Sequence, residues 1–345
     1  MSAGVSARGI TLEVAVERWP IAGRFTIARG SRTEAVVVVV TLRAAGAAGG
    51  VGRGECVPYA RYGESVESVV AQIESQRAVI AAASVNGLGA VRDALQRALP
   101  AGAARNALDC AAWDLEAKGS GVPGVERAGL PALRSVTTAY TLSLGTPEAM
   151  GAAAAAARAR PLLKVKLGGA GDAERIAAVR AAAPQARLIV DANESWRAAL
   201  LEENLAACEA AGVELIEQPL PAGEDAALVG RQTAIAFCAD ESVHDRAGLA
   251  ALVDRYQAIN IKLDKTGGLT EALALAAEAH ALGLRCMVGC MLGTSLAMAP
   301  ALLLAGGADF VDLDGPLLLA KDRDPGLLFE GSVIDPPPAA LWGKG

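Results

Sequence analysis

Eight short apolar runs end at a nearly constant spacing. They stop near Leu142, Lys166, Asp191, Glu217, Asp240, Lys262, Val288 and Asp312, and from Lys166 onward successive ends lie 22 to 26 residues apart. About 25 residues hold one strand, one helix and two connections, so the repeat reads as a βα unit and the sheet as parallel. Eight such strands close into a barrel, in which residues at the C-terminal strand ends face the chemistry. Alanine-rich stretches such as 151–160 look like low complexity, but alanine is the best helix former and they need no other cause.

The chain before the repeat reads differently. Residues 10–17 alternate apolar and polar side chains, 34–43 are a β-branched run, and 46–54 are turn-rich. A glycine-bounded loop, Gly54-Glu55-Cys56-Val57-Pro58-Tyr59-Ala60-Arg61-Tyr62-Gly63, leads to helical patterns over 65–83, 87–98 and 103–118. Strands followed by helices suggest a separate α+β unit, and 345 residues suffice for a barrel with a small companion. The tail Asp335-Pro336-Pro337-Pro338 cannot continue a helix and is expected to run back along the first unit.

Several function classes are disfavoured. A net charge of −6 lacks the basic footprint of a nucleic-acid surface, and no Lys/Arg block suits an anionic membrane. The N-terminus, MSAGVSARGITLEVAVERWP, lacks the apolar core of a signal peptide. The six cysteines are scattered without CxxC spacing, so neither a zinc site nor a disulfide framework is expected, and a reduced cytoplasm fits. Residues 286–308 carry no charge and are long enough to span a bilayer. Their glycines, Thr294, Ser295 and Pro300 fit a buried strand, a glycine loop and a covered helix better.

The strand ends carry the chemistry. Three in succession close on an acid: Leu188-Ile189-Val190-Asp191, Val213-Glu214-Leu215-Ile216-Glu217 and Ile235-Ala236-Phe237-Cys238-Ala239-Asp240. Parallel strands bring Asp191, Glu217 and Asp240 to one rim, where three anions need a cation between them. Oxygen-only ligation with open positions favours Mg2+. Helix capping or a surface salt bridge would explain one such acid more easily than three in phase.

Lys164-Val165-Lys166 precedes the acids and Lys262-Leu263-Asp264-Lys265 follows them. Lys164 and Lys166 share one face of a strand. Lys262 also points inward, and Lys265 lies just past its strand. Strands two and six oppose each other in the barrel, so Lys166 and Lys265 would flank a metal-bound substrate. Buried ammonium groups need facing anions or lowered pKa values, and a general base needs the latter. A lysine base with Mg2+ stabilises the ene-diolate left when an α-proton departs beside a carboxylate. One base on each face gives racemisation or epimerisation.

Lys164-Val165-Lys166, Asp191-Ala192-Asn193, Glu217-Gln218-Pro219, Ala239-Asp240-Glu241-Ser242 and Asn260-Ile261-Lys262-Leu263-Asp264-Lys265 together resemble the muconate-lactonizing subgroup of the enolase superfamily. The resemblance covers nearly the whole chain. It implies a TIM-like (β/α)7β barrel over 126–321 and an α+β capping domain over 1–125, completed by the tail 322–345. It implies Mg2+ on Asp191, Glu217 and Asp240, with Asn193 and Glu241 behind the ligands. Lys166 and Lys265 would exchange the proton while Lys164 and Lys262 tune them.

Asp312-Leu313-Asp314-Gly315-Pro316 is similar to the Asp-X-Asp motif of dipeptide epimerases, whose two acids bind the ammonium of the first residue. Four further stretches resemble the dipeptide epimerases that act on L-Ala-D/L-Glu in cell-wall peptide recycling. They are Ala28-Arg29-Gly30-Ser31-Arg32-Thr33-Glu34-Ala35, Tyr59-Ala60-Arg61-Tyr62-Gly63-Glu64-Ser65, Gly102-Ala103-Ala104-Arg105-Asn106-Ala107-Leu108-Asp109 and Gly289-Cys290-Met291-Leu292. The first two would be mobile capping loops over the substrate. Arg29 or Arg32 would meet a glutamate side chain, and Arg24 and Arg61 are alternatives.

The expected activity is Mg-dependent inversion of the dipeptide's second α-carbon through an enolate. The expected partner is a small-molecule dipeptide, with neither nucleic acid nor membrane, and a homo-oligomer is left open. The rivals are a cycloisomerase or o-succinylbenzoate-type synthase, which needs no ammonium site, a Schiff-base lyase using Lys166, and a non-catalytic binding protein. Gly168-Gly169-Ala170-Gly171 is a glycine-rich turn without a P-loop pattern. Cys290 has no histidine near it in sequence for a nucleophilic pair. Gly293 and Ser295 leave the pocket size open.

Overall fold

The structure, a computed structural model, describes residues 9–45, 50–231 and 233–344. The expected turn at 46–49 and the first eight residues lie outside the described residues. Strands β1 (Ile10–Ile27), β2 (Gly30–Ala44) and β3 (Val51–Cys56) form an antiparallel sheet in that order. The β1–β2 register shifts between Pro20 and Phe25, where proline has no N–H for the ladder.

Residues 51–54 of the stretch read as a turn are strand. Gly52 and Gly54 are there because a helix presses on β3: a Cβ on Gly54 would stand 2.1 Å from Ala107 O, and one on Gly52 2.2 Å from Ala111 O. Helices α1 (Val66–Ser75), α2 (Arg77–Ser84), α3 (Leu88–Ala98), α4 (Ala103–Ser120) and α5 (Gly124–Arg127) follow. The helix expected over 65–83 is broken at Gln76, after which Arg77 donates to Leu12 O on β1 at 2.6 Å.

After β4 (Val136–Thr137) come the eight barrel strands, β5 (Tyr140–Leu142), β6 (Leu162–Lys166), β7 (Arg187–Asp191), β8 (Val213–Glu217), β9 (Ala236–Ala239), β10 (Ala258–Ile261), β11 (Arg285–Gly289) and β12 (Phe310–Asp312). They pair in sequence order, all parallel. The ring closes between its last and first members: Ala139 N donates to Val311 O at 2.8 Å and Leu313 N to Thr138 Oγ1 at 2.8 Å. A layer of Ala139, Leu162, Ile189, Leu215, Cys238, Ala258, Met287 and Phe310, one from each strand or its first flanking residue, fills the interior.

Helices α6 (Pro147–Ala156), α7 (Asp172–Ala182), α8 (Leu201–Ala210), α9 (Leu263–Thr266), α10 (Leu269–Ala281), α11 (Ser295–Ala305) and α12 (Gly315–Leu318) connect the strands. After β8 and β9 the expected helices are replaced by single 3-10 turns, Ala226–Leu228 and Leu249–Leu252. Pro219, Pro221 and Gly223 punctuate the first of these segments, and left-handed Gly248 precedes the second turn. The uncharged stretch folds as β11, a loop and α11, and among the described residues no helix is long and apolar enough to cross a membrane.

The tail forms β13 (Phe329–Glu330) and β14 (Val333–Ile334), which pairs with β4. It then reaches α4, where Trp342 Nε1 donates to Cys110 O at 3.0 Å and Gly343 N to Asp114 Oδ1 at 2.7 Å.

Candidate active site

The strand ends bring the expected acids and lysines into one buried cluster. Lys164, Lys166, Asp191, Glu217, Asp240, Lys262, Lys265, Asp312 and Asp314 are all buried. Lys166 Nζ lies 2.5 Å from Asp191 Oδ2. Lys164 Nζ sits 2.6 Å from Glu217 Oε2, 2.7 Å from Asp312 Oδ2 and 3.4 Å from Asp191 Oδ2. On the other wall, Lys262 Nζ meets Asp240 Oδ2 at 2.6 Å and Glu217 Oε1 at 3.6 Å. Lys265 Nζ donates to Asp240 Oδ1 and Asp240 O at 2.6 Å and to Asn260 O at 2.8 Å.

The cluster is electrostatically polarised. Burial opposes charge on Lys164 and Lys262, yet their carboxylate neighbours outweigh it and hold both well above the usual lysine range. Lys265 goes the other way, since burial, with Lys262 adding to it, outweighs the pull of Asp240 and lowers it. The lysines hold Asp191 down at about 2 and Asp240 well below the carboxylate range despite burial. Glu217 is raised by burial and by Asp191.

Three buried carboxylates at consecutive strand ends offer oxygen only, a donor set that suits Mg2+. Ammonium groups stand between neighbouring acids here, so among the described residues no three acids, histidines or cysteines share one ion position. Glu217 Oε2 nevertheless makes no hydrogen bond, because Lys164 Nζ at 2.6 Å is out of alignment for one. That buried, unbonded oxygen and the acid set fit a hard cation.

Side chains behind the acids fix their aim. Asn193, left-handed at φ 46°, gives its N–H to Asp191 Oδ1 at 2.8 Å and its Nδ2 to Asp191 Oδ2 at 3.1 Å. Gln218, at φ 34°, accepts from Asp240 N at 2.9 Å, and Asn260 Nδ2 donates to Glu217 Oε1 at 2.7 Å. Gln218 and Asn260 lay within the strand-end motifs, but nothing in their spacing marked them. Glu241, pushed up to about 7 by burial and Asp240, pairs with Arg29.

A cavity of about 480 Å3 lies between this cluster and the first unit, lined by Lys166, Asp240, Lys262, Arg32, Tyr59 and Met291 among others. Lys265 does not line it. The four arginines separate. Arg29 is committed to Glu241 at 2.6 Å, Glu194 at 3.2 Å and Asn193 O at 2.8 Å, and Arg61 to Glu194 at 2.7 Å. Glu194 carries no signal of this role, because nothing in sequence ties it to loops more than a hundred residues away. Arg32 faces the cavity beside the Tyr59 ring and has no ion pair among the described residues. Arg24 lines a separate cavity of about 380 Å3.

Other singled-out features have structural roles. The amides of Gly168 and Gly169 bind the carboxylate of Asp172, which also accepts from Trp196 Nε1. Burial holds the Cys290 thiol well above its usual value. His244 packs edge-on to Tyr62, with ring centroids 4.4 Å apart.

Residues 9–129 match the N-terminal domain model of mandelate racemase/muconate lactonizing enzyme, and residues 149–320 match the enolase C-terminal domain-like model. The chain is 50% identical over 321 residues to the L-Ala-D/L-Glu epimerase of Escherichia coli (strain K12), covering 92% of this chain and 97% of that one. It is 49% identical over 292 residues to an N-acetyl-D-glutamate racemase of a Pseudoalteromonas species, covering 85% and 91%. A crystal structure of an enolase family member from Agrobacterium tumefaciens, with homology to dipeptide epimerases and with sodium and L-Ala-L-Glu bound, superposes with a TM-score of 0.92. That chain is 54% identical and the match covers 97% of this chain and all of that one.

Proposed function

We infer the activity from a premise the two domain matches establish: the chain belongs to the mandelate racemase/muconate lactonizing enzyme family of the enolase superfamily. It is a dipeptide epimerase, an isomerase that inverts the second α-carbon of L-Ala-D/L-Glu-type dipeptides. Cell-wall peptides are the source we assign to them. The observation that carries this reading is the pair of opposed lysine sets around buried strand-end acids, with Asp312 paired to Lys164.

Lys166 and Lys265 belong to opposite walls. One, as the neutral amine, takes the α-proton, and the C–H electron pair spreads into the adjacent carboxylate. The other, as the ammonium, delivers a proton to the opposite face, and the reverse reaction exchanges the roles. The lowered pKa of Lys265 favours its amine form. Lys164 and Lys262 stay charged and keep the site positive where negative charge develops. When bound, Mg2+ on Asp191, Glu217 and Asp240 supplies further positive charge beside the substrate carboxylate.

The acid pair Asp312 and Asp314, which is buried behind Lys164 and does not line the cavity, favours an ammonium. Asp312 Oδ1 is buried without a hydrogen-bond partner among the described residues, and Asp314 is pushed up to about 7 by burial and Asp312. A cationic amine answers both, whereas an N-acetyl group answers neither charge. The dipeptide reading therefore stands above N-acylglutamate racemisation, the activity of one relative. We assign the glutamate side chain to Arg32, the cavity arginine without an ion pair among the described residues.

Proton NMR of L-Ala-L-Glu in D2O with the protein and Mg2+ is the test. Loss of the Glu α-proton signal with growth of L-Ala-D-Glu, both abolished by EDTA, is expected. Exchange of N-acetyl-L-glutamate but not of the dipeptide would overturn the dipeptide assignment.

A further inference from the structure

Lys166 sits within a barrel strand, but Lys265 sits on α9, a single helical turn just past β10. One turn of helix has no stability of its own, so something else must hold the lysine. The ammonium is bonded to Asp240 and Asn260 of the barrel, while the turn that carries it is gripped by α4 of the first unit. Asn106 Nδ2 donates to Asp264 Oδ1 at 2.8 Å, and Val57 N, just past β3, donates to the same oxygen at 3.0 Å. At the other end of α9, Arg105 donates to Thr266 O at 2.7 Å and to Gly267 O at 3.1 Å. One helical turn further along α4, Asp109 accepts from Thr270 N at 2.9 Å and from Thr270 Oγ1 at 2.6 Å, and Trp113 Nε1 donates to that hydroxyl at 2.9 Å.

The turn is pressed against the helix. Gly267 and Gly268 have φ of +70° and +109°, and a Cβ on them would meet Arg105 Nε at 2.4 Å and Asp109 Cβ at 2.5 Å. Arg105, Asn106, Asp109 and Asp264 are all buried. Apolar packing would dock two units at lower desolvation cost than four buried polar side chains, and α4 does pack that way on Gly52 and Gly54 of β3. What directional bonds add is a fixed position for the backbone they grip.

We propose that Arg105, Asn106 and Asp264 are positioning residues for Lys265, so that proton transfer on one face of the substrate depends on α4 while transfer at Lys166 does not. This rests on the epimerase reading and deepens it. In D2O each lysine exchanges the α-proton of the epimer that faces it, so the two faces are read separately. Lys166→Ala and Lys265→Ala identify which of L-Ala-L-Glu and L-Ala-D-Glu each lysine serves.

Initial exchange rates of both epimers are then measured for Asn106→Ala, Asp264→Ala and Asp264→Asn. In the two alanine variants the Lys265-facing epimer is expected to slow by about tenfold or more relative to the other, since small displacements of a reacting group are costly. Asp264→Asn, which keeps an acceptor for Val57 N, is expected to recover most of the loss. Equal slowing of both epimers, or none, with an active wild type would overturn this proposal alone. Exchange of neither epimer by the wild type would overturn it together with the epimerase reading. If Asn106→Ala fails to fold, the Asp264 pair decides the question.

Discussion

The acids and lysines at the strand ends were legible because a barrel converts a regular spacing in sequence into convergence in space. The residues that aim them were not. Asn260 and Asp264 lie inside a recognised motif, yet only the fold shows that one holds Glu217 and the other ties α9 to α4. Asp264 also leads to a pH prediction. Its carboxyl is pushed up to about 7 by burial, with Glu64 and Glu55 adding to the effect and bonds from Val57 and Asn106 opposing it. The native state therefore holds this proton more tightly than an unfolded chain, whose Asp titrates near 3.8. Its contribution to stability is whole below that lower value and is lost as pH rises through the higher one. Asparagine does not titrate, so the stability advantage of wild type over Asp264→Asn should shrink as pH rises from about 4 to about 8. Thermal melts of the two proteins at several pH values check it, and a constant gap would show that Asp264 is ionised throughout.

At the scale of elements, the period of the repeat located the barrel strand ends to within a residue or so, because buried parallel strands are short apolar runs with little freedom in register. Local pattern misleads where tertiary contact overrides local preference. Gly52 and Gly54 look like turn residues but stand in β3, and the cause lies on α4, some fifty residues away. The helices missing after β8 and β9 were masked by a spacing that a loop can satisfy equally well. The β3–α4 contact is testable. In Gly54→Ala the new methyl would overlap Ala107 O, its nearest neighbour at 2.1 Å. Backbone cannot rotate away as a side chain can, so a loss of at least about 2 kcal/mol is expected, seen as a lower urea midpoint. An unchanged midpoint would mean that α4 backs away freely, which its grip on α9 should forbid.

Across the whole molecule, the first unit, the barrel and the tail are joined through α4. One end of that helix holds the turn after β10, and Cys110 and Asp114 further along hold the tail. Arg323 adds a second tie, donating to Glu55 of β3 at 2.7 Å and to Glu17 of β1 at 2.8 Å, while Thr294 of the loop after β11 binds the same Glu55. The proline run and the resemblance lead the tail back along the first unit, and Trp342, which is fully buried, anchors it there on α4. Trp342→Ala should cost about 3–5 kcal/mol, as large buried truncations do. The polar grip of α4 on the barrel turn remains in that variant, so the two units should still unfold together. Tryptophan fluorescence and far-UV circular dichroism should then report one coincident melting transition, shifted to lower temperature. Two separated transitions would show instead that the tail, and not α4, couples the units, and Lys265 would then lose its support before the barrel melts.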